Sequence, residues 1–217
     1  AIGKWHLGHK KQYLPLNNGF DYYYGIPYSN DMNKTNNNPY WSEYEREELN
    51  SNSYNVPLIE NFEIIERPVD QTTITKRFSE KAVEQIRKYK KDKFFIYLAH
   101  SLPHIPLYAS KEFLGKSKNG LYGDVIEEID HGVGLIINEL KNHNLDKNTI
   151  IVFTSDNGPW LPYKNHGGSA GLLREGKGMT WEGGHRVPGI FWGADIKPGV
   201  IDEIGSTMDL FPTFLDL

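Results

Sequence analysis

Cysteine is absent from all 217 residues. That excludes disulfides, thiolate zinc sites and a cysteine nucleophile within these residues; it does not exclude export, because many exported proteins have no disulfides. No apolar run approaches the roughly 20 residues that a membrane-spanning helix needs. Excess positive charge is missing too. Lys and Arg number 24 against 28 Asp and Glu, a net charge of -4, so the basic stripe typical of nucleic-acid binders is not expected. No secretory leader is visible, which leaves the compartment open. What is present suits a soluble globular chain long enough for one sizeable core, with 38% hydrophobic residues and five tryptophans.

Two segments carry a helical period. Phe78, Ala82, Ile86 and Tyr89 form one stripe within Thr75–Lys91; Val125, Ile129, Val133, Ile136 and Leu140 form another within Asp124–Leu140. Each is followed by a short apolar run, "FFIYLA" (Phe94–Ala99) and "TIIVFTS" (Thr149–Ser155). Such runs predict strands buried on both faces of a parallel sheet, and "VPGIFWG" is a third candidate. The alternation predicts an α/β fold. Residues 30–74 read as an insertion. It comprises a period-free loop over Asn30–Asn55, with a glycosylation-type triplet at Asn33-Lys34-Thr35, and then a hairpin around Glu60-Asn61 in "VPLIENFEIIERPVD". The chain opens with no strand or cap signal, and "TMDLFPTFLDL" stops inside an apolar helical pattern. The expectation is therefore an internal segment of a larger domain.

In doubly wound folds, ligands gather beyond the carboxyl ends of the parallel strands. That rule puts His100, His104, Asp156 and Asn157 at strand exits. Asp156 and Asn157 in "SDNGPW" offer two hard oxygen donors, suited to calcium or magnesium, although calcium takes roughly six to eight. A plain Asp-Asn-Gly turn accounts for the same residues. His100 and His104 are four apart, but Pro103 and the preceding strand argue against a helical zinc pair. One histidine acting on an anion or as a proton donor, or a structural loop histidine, both remain. In "GLLREGKGMTWEGGHRVP", Lys177 lies between Gly176 and Gly178, where small neighbours let backbone approach a ligand and the lysine supplies a point charge. Arg174, Glu175, Glu182 and Arg186 are read as ion pairs holding that loop. Near the start, "GKWHLG" places Lys4 and His6 one residue apart between glycines, a pair suited to an anion.

Together, "GKWHLG", "GFDYYYGIPYSND", "SLPHIP", "FTSDNG" and "GLLREGKGMTWEGG", in this order and spacing, resemble the sulfatases, most closely the arylsulfatase A type, over nearly the whole chain. The resemblance implies an α/β domain with a mixed, mainly parallel sheet flanked by helices. It also implies hydrolysis of sulfate esters by a formylglycine, which a dedicated generating or maturating enzyme makes from cysteine or serine. The hydrated aldehyde would attack sulfur, and the covalent sulfate would leave as the aldehyde reforms. By the same resemblance, Lys4 would hold the aldehyde hydrate, and His6 would remove a proton to drive sulfate release. His104 and Lys177 would contact the sulfate and the ester oxygen, Ser29 would line the pocket, and Asp156 and Asn157 would ligate calcium or magnesium. The family's compartment is exported (periplasmic or secreted) or lysosomal.

One departure stands out. The family's Cys/Ser-x-Pro-x-Arg nucleophile motif does not occur here, nor does the acidic pair that completes the metal shell. Residues 1–217 are therefore expected to be an incomplete catalytic domain, inactive alone, without the first strands or the C-terminal subdomain. Two other readings stay open: a phosphate or phosphonate ester hydrolase of the same superfamily, and a non-catalytic homologue that keeps only the anion pocket.

Overall fold

The computed structural model describes residues 1–35 and 51–216. Its main sheet has five strands in the order β4-β3-β2-β1-β5. These are β1 (Ile2–Lys4), β2 (Tyr24–Ile26), β3 (Leu58–Glu60), β4 (Glu63–Glu66) and β5 (Leu98–Ala99). β1 lies parallel between β2 and β5, with Lys4 opposite Ile26 and Gly3 opposite Ala99. The β3–β4 hairpin joins this sheet antiparallel to β2. The fold is α/β with a mixed sheet.

The absent strand signal at the start of the chain is corrected by the structure, since residues 2–4 form an interior strand of the sheet, paired on both sides. Three residues of which one is glycine carry too little pattern to reveal a strand. The expected strand Phe94–Ala99 pairs over Leu98–Ala99 alone, with Phe95 and Tyr97 exposed.

The helices follow the hydrophobic stripes. α1 (Ile74–Tyr89) buries Phe78, Ala82 and Ile86, and Phe78 meets the ring of Tyr24 edge-on at 6.2 Å. Ile2, Tyr24, Ile26 and Leu58 complete the core beneath it. α2 (Gly120–Asn142) buries Val125, Ile129 and Leu140 and packs on α1. There, Arg87 donates to both carboxylate oxygens of Glu139 at 2.7 and 2.9 Å. At the start of α2, the buried Asp124 carboxylate accepts the backbone N–H groups of Gly115, Lys116 and Ser117, closing the preceding loop.

β6 (Ile150–Thr154) departs from expectation. It pairs antiparallel with β7 (Gly189–Gly193) in a separate two-stranded sheet, and it is half-buried rather than covered on both faces. A continuous apolar run reports a preference for burial and says nothing about which strand pairs with it. Of the loop Asn30–Asn55, residues 36–50 lie outside the described residues. Its described ends meet, with Thr35 N–H donating to Ser53 O at 2.8 Å and Asn55 N–H to Asn33 O at 2.9 Å. The final segment is helical as expected, with α3 at Leu210–Asp216. Among the described residues, no helix is long and apolar enough to cross a membrane.

Candidate anion site

Lys4 ends β1, and the pairing continues past it in a looser form. Trp5 N–H donates to Ile26 O at 3.0 Å and His6 N–H to Pro27 O at 3.1 Å. This carries His6 alongside the segment that leads to Ser29. His6 has φ 54, a left-handed conformation that costs a non-glycine residue roughly 1–2 kcal/mol and is found mostly where function holds it.

Ser29, 3% exposed, puts its Oγ 3.4 Å from His104 Nδ1. The same Nδ1 lies 2.6 Å from the carbonyl oxygen of Ile105. A carbonyl only accepts, so Nδ1 carries the proton of the neutral ring, and Nε2 is left as the nitrogen that gains or gives one. His100, four residues earlier, takes no part. Its ring packs against Phe78, and both ring nitrogens are buried without a hydrogen-bond partner among the described residues. The rule that ligands gather at strand exits does not say which face of an exit a side chain takes.

Asp156 and Asn157 follow β6. Ser155 Oγ donates to the Asn157 carbonyl at 3.1 Å, and Asn157 Nδ2 donates to Gly158 O at 2.8 Å. The glycine-rich segment 174–184 docks directly on this turn. Lys177 N–H donates to Pro159 O at 2.8 Å, and Gly158 N–H donates to Gly184 O at 3.0 Å. The approach leaves no room for side chains. A Cβ on Gly158 would lie 1.8 Å from Gly183 O, and one on Gly176 would lie 2.3 Å from Pro159 O. Lys177 Nζ ends 4.7 Å from the centroid of the Trp160 ring, and His104 packs on that ring at 5.7 Å. Of the four residues read as loop ion pairs, Glu182 and Arg186 do pair, at 3.1 Å. Arg174 instead stacks on Trp181 at 3.8 Å.

The electrostatics tie these segments into one site. Burial depresses the Lys4 pKa below the usual lysine range. Asp156 counters that effect, Lys177 reinforces it, and Asp31 opposes it. His6 is lowered chiefly by partial burial and by the Lys4 charge, with Lys177 adding to this and Asp31 and Asp156 opposing. His104 is lowered by burial; its bond to Ile105 and the field of Asp31 resist, while Lys177 and Lys4 push further down. Lys4, His6, His104, Lys177 and Asp156 thus share one electrostatic neighbourhood, with Ser29 against His104 and Asn157 beside Asp156. Asp31 and Trp160 belong to it as well. Both stand inside motifs quoted from the sequence, "IPYSND" and "SDNGPW", but an acid beside an anion site and an aromatic after a turn carry no signal of their own.

The arrangement can receive a small oxyanion. Two lysines and two histidines share it, and the lysine charges lower the proton affinity of both histidines, with Lys177 also lowering that of Lys4, an effect that a bound anion offsets. For a divalent metal, Asp156 and Asn157 are suitable oxygen donors but only two of them. Among the described residues, no three His, Cys, Asp or Glu side chains gather around a common point. The described residues therefore fit part of a calcium or magnesium shell and do not complete one.

Comparison with known proteins gives this geometry its context. N-acetylgalactosamine-6-sulfatase of Mus musculus is 38% identical over 230 residues, covering 100% of this chain and 42% of the relative. Arylsulfatase G of Homo sapiens is 35% identical over 242 residues, covering 100% of this chain and 46% of the relative. The chain thus spans less than half the length of these curated relatives. Among solved structures, Ps i-CgsB in complex with k-i-k-neocarrahexaose superposes with a TM-score of 0.69 at 35% identity, over 89% of this chain and 44% of that one. The PsFucS1 sulfatase from Pseudoalteromonas sp. gives 0.70 at 28% identity, over 88% and 42%. The profile of the sulfatase family matches residues 1–217 throughout, and the chain belongs to that family.

Proposed function

We propose that these residues form the sulfate-binding and leaving-group half of a sulfate ester hydrolase whose nucleophile lies outside them. The observation that carries the reading is that Lys4 with His6, His104, and Lys177 come from three separate segments, and the Lys4 and Lys177 charges, added to burial, lower the proton affinity of both histidines. Cleaving a sulfate ester develops negative charge on the departing oxygen. Cations fixed in advance around that oxygen act most strongly where water is excluded. His104, with its Nδ1 proton committed to Ile105, presents Nε2 to the leaving oxygen and donates there when a second proton makes the ring an imidazolium. Lys177 supplies a second point charge there, and Lys4 and His6 would serve the attacking group. Asp156 and Asn157 would contribute two oxygens to a calcium or magnesium ion. When present, a formylglycine and that ion supply the nucleophile and a Lewis acid.

With no Cys/Ser-x-Pro-x-Arg motif, the 217 residues alone are inactive in this reading and bind metal weakly. The printed names of the relatives, N-acetylgalactosamine-6-sulfatase among them, and the oligosaccharide bound to Ps i-CgsB favour a sulfated sugar as the ester. Maturation by a formylglycine-generating enzyme and export or lysosomal delivery belong to the same proposal.

The test is kinetic. The full-length gene product, co-expressed with a formylglycine-generating enzyme, is assayed in parallel on an aryl sulfate, a 6-sulfated N-acetylgalactosamine and an aryl phosphate. A kcat/KM favouring the sulfates, lowered about 100-fold or more in Lys177→Ala, supports the proposal. Preference for the phosphate, or an unaffected variant, refutes it.

A further inference from the structure

We infer that Trp160 is a positioning residue for the anion site, holding the Lys177 ammonium against its indole face while its ring braces His104. This rests on the anion-binding reading above. Lys177 needs such a device. It rides between two glycines, one of them, Gly178, at φ +88, and its four-carbon stem has many rotamers to lose. The neighbouring Lys4 charge repels it as well. Unaided, the ammonium would swing toward water.

A carboxylate could anchor it, but would neutralise the charge that the anion needs and would itself repel the anion. An aromatic face attracts a cation through its quadrupole and carries no net charge, so it positions the ammonium and leaves its full charge for the ligand. The geometry matches: Nζ lies 4.7 Å from the ring centroid, and His104 sits at 5.7 Å with a 54° tilt. Tyr163 wedges the indole at 4.4 Å. The Trp160 backbone N–H donates to Gly167 O at 3.0 Å, and Pro159 O accepts the Lys177 backbone N–H. One residue thus touches both groups assigned to the leaving oxygen.

The experiment reads Lys177 directly. In carbon–proton NMR spectra of the 217-residue chain, the Lys177 ε-methylene, assigned by its loss in Lys177→Arg, is expected upfield of the other lysines because it lies over a ring. Trp160→Phe, which keeps an aromatic face, retains an upfield shift and binds sulfate within about twofold of wild type. Trp160→Leu, similar in apolar character but without a face, loses the shift and binds sulfate roughly fivefold more weakly. An unshifted Lys177 in the wild-type chain, or unchanged sulfate binding in Trp160→Leu, overturns the inference. Should Trp160→Leu not fold, the wild-type and Trp160→Phe spectra still decide, since loss of the shift in Phe contradicts the face contact. A shifted Lys177 in a wild-type chain that binds no sulfate refutes the anion reading and leaves the positioning contact standing.

Discussion

Ser29 Oγ lies 3.4 Å from His104 Nδ1, joining two loops 75 residues apart at the edge of the anion site. The contact is longer than an ideal hydrogen bond, and Nδ1 has the closer Ile105 carbonyl as its main partner. Ser29 therefore adjusts the ring and does not anchor it. Ser29→Ala is expected to weaken sulfate binding about fivefold, the worth of one ordinary hydrogen bond, and to leave the melting temperature within about 4 °C of wild type. Calorimetric titration and a thermal melt check the two halves. A collapse in stability would assign Ser29 to the fold and not to the site.

His100 gives the chain an acid-sensitive core. Burial lowers its pKa from 6.5 to about 4. Between those values the unfolded chain binds a proton that the folded chain refuses. Stability is thus unaffected above about pH 6.5 and falls as the pH drops toward 4, by about 3 kcal/mol in all. His100→Leu, apolar beside Phe78, removes this contribution. Urea unfolding at pH 7, 5.5 and 4.5 is expected to show a shallower acid decline in the variant; parallel declines would contradict the assignment.

Gly158 is where the turn after β6 meets the glycine-rich segment with no room for a side chain. An alanine Cβ would stand 1.8 Å from the Gly183 carbonyl, and the backbone must part to admit it. Gly158→Ala is expected to pull segment 174–184 away from Pro159. Sulfate affinity then falls at least tenfold, while the helical signal in circular dichroism, which comes mostly from α1 and α2, is unchanged. Wild-type affinity in this variant would show that Lys177 does not depend on the docking.

Phe78 is 0% exposed at the centre of α1's buried stripe. Phe78→Ala leaves a cavity between α1 and the rings of Tyr24 and His100, costing about 3–5 kcal/mol. Equilibrium denaturation measures it, and a loss under about 1 kcal/mol would mean that the sheet is not held by this helix.

The two helices were legible because their stripes repeat over many turns, β6 because its run is apolar and β-branched, and β7 because its run is apolar and aromatic. β1 and β2 were not. "IGK" and "YGI" are three residues each, centred on a glycine, and the main sheet's centre is made by pairing between distant segments. The site divided along the same line. Lys177 showed itself through its glycine bracket, and Lys4 with His6 through their spacing. His100 and His104 looked alike in sequence, yet one is locked behind Phe78 and the other faces Ser29 and Trp160. Trp160 and Asp31 gain their place only from contacts made across the fold.

The most direct measurement is the structure of the chain crystallised with selenate, a tetrahedral oxyanion located by its anomalous scattering. The account predicts a selenium peak with Lys4 Nζ, His104 Nε2 and Lys177 Nζ all within hydrogen-bonding reach of its oxygens, about 3 Å. Selenate bound elsewhere with these groups unengaged, or Lys177 turned away on another side of the molecule, would contradict it.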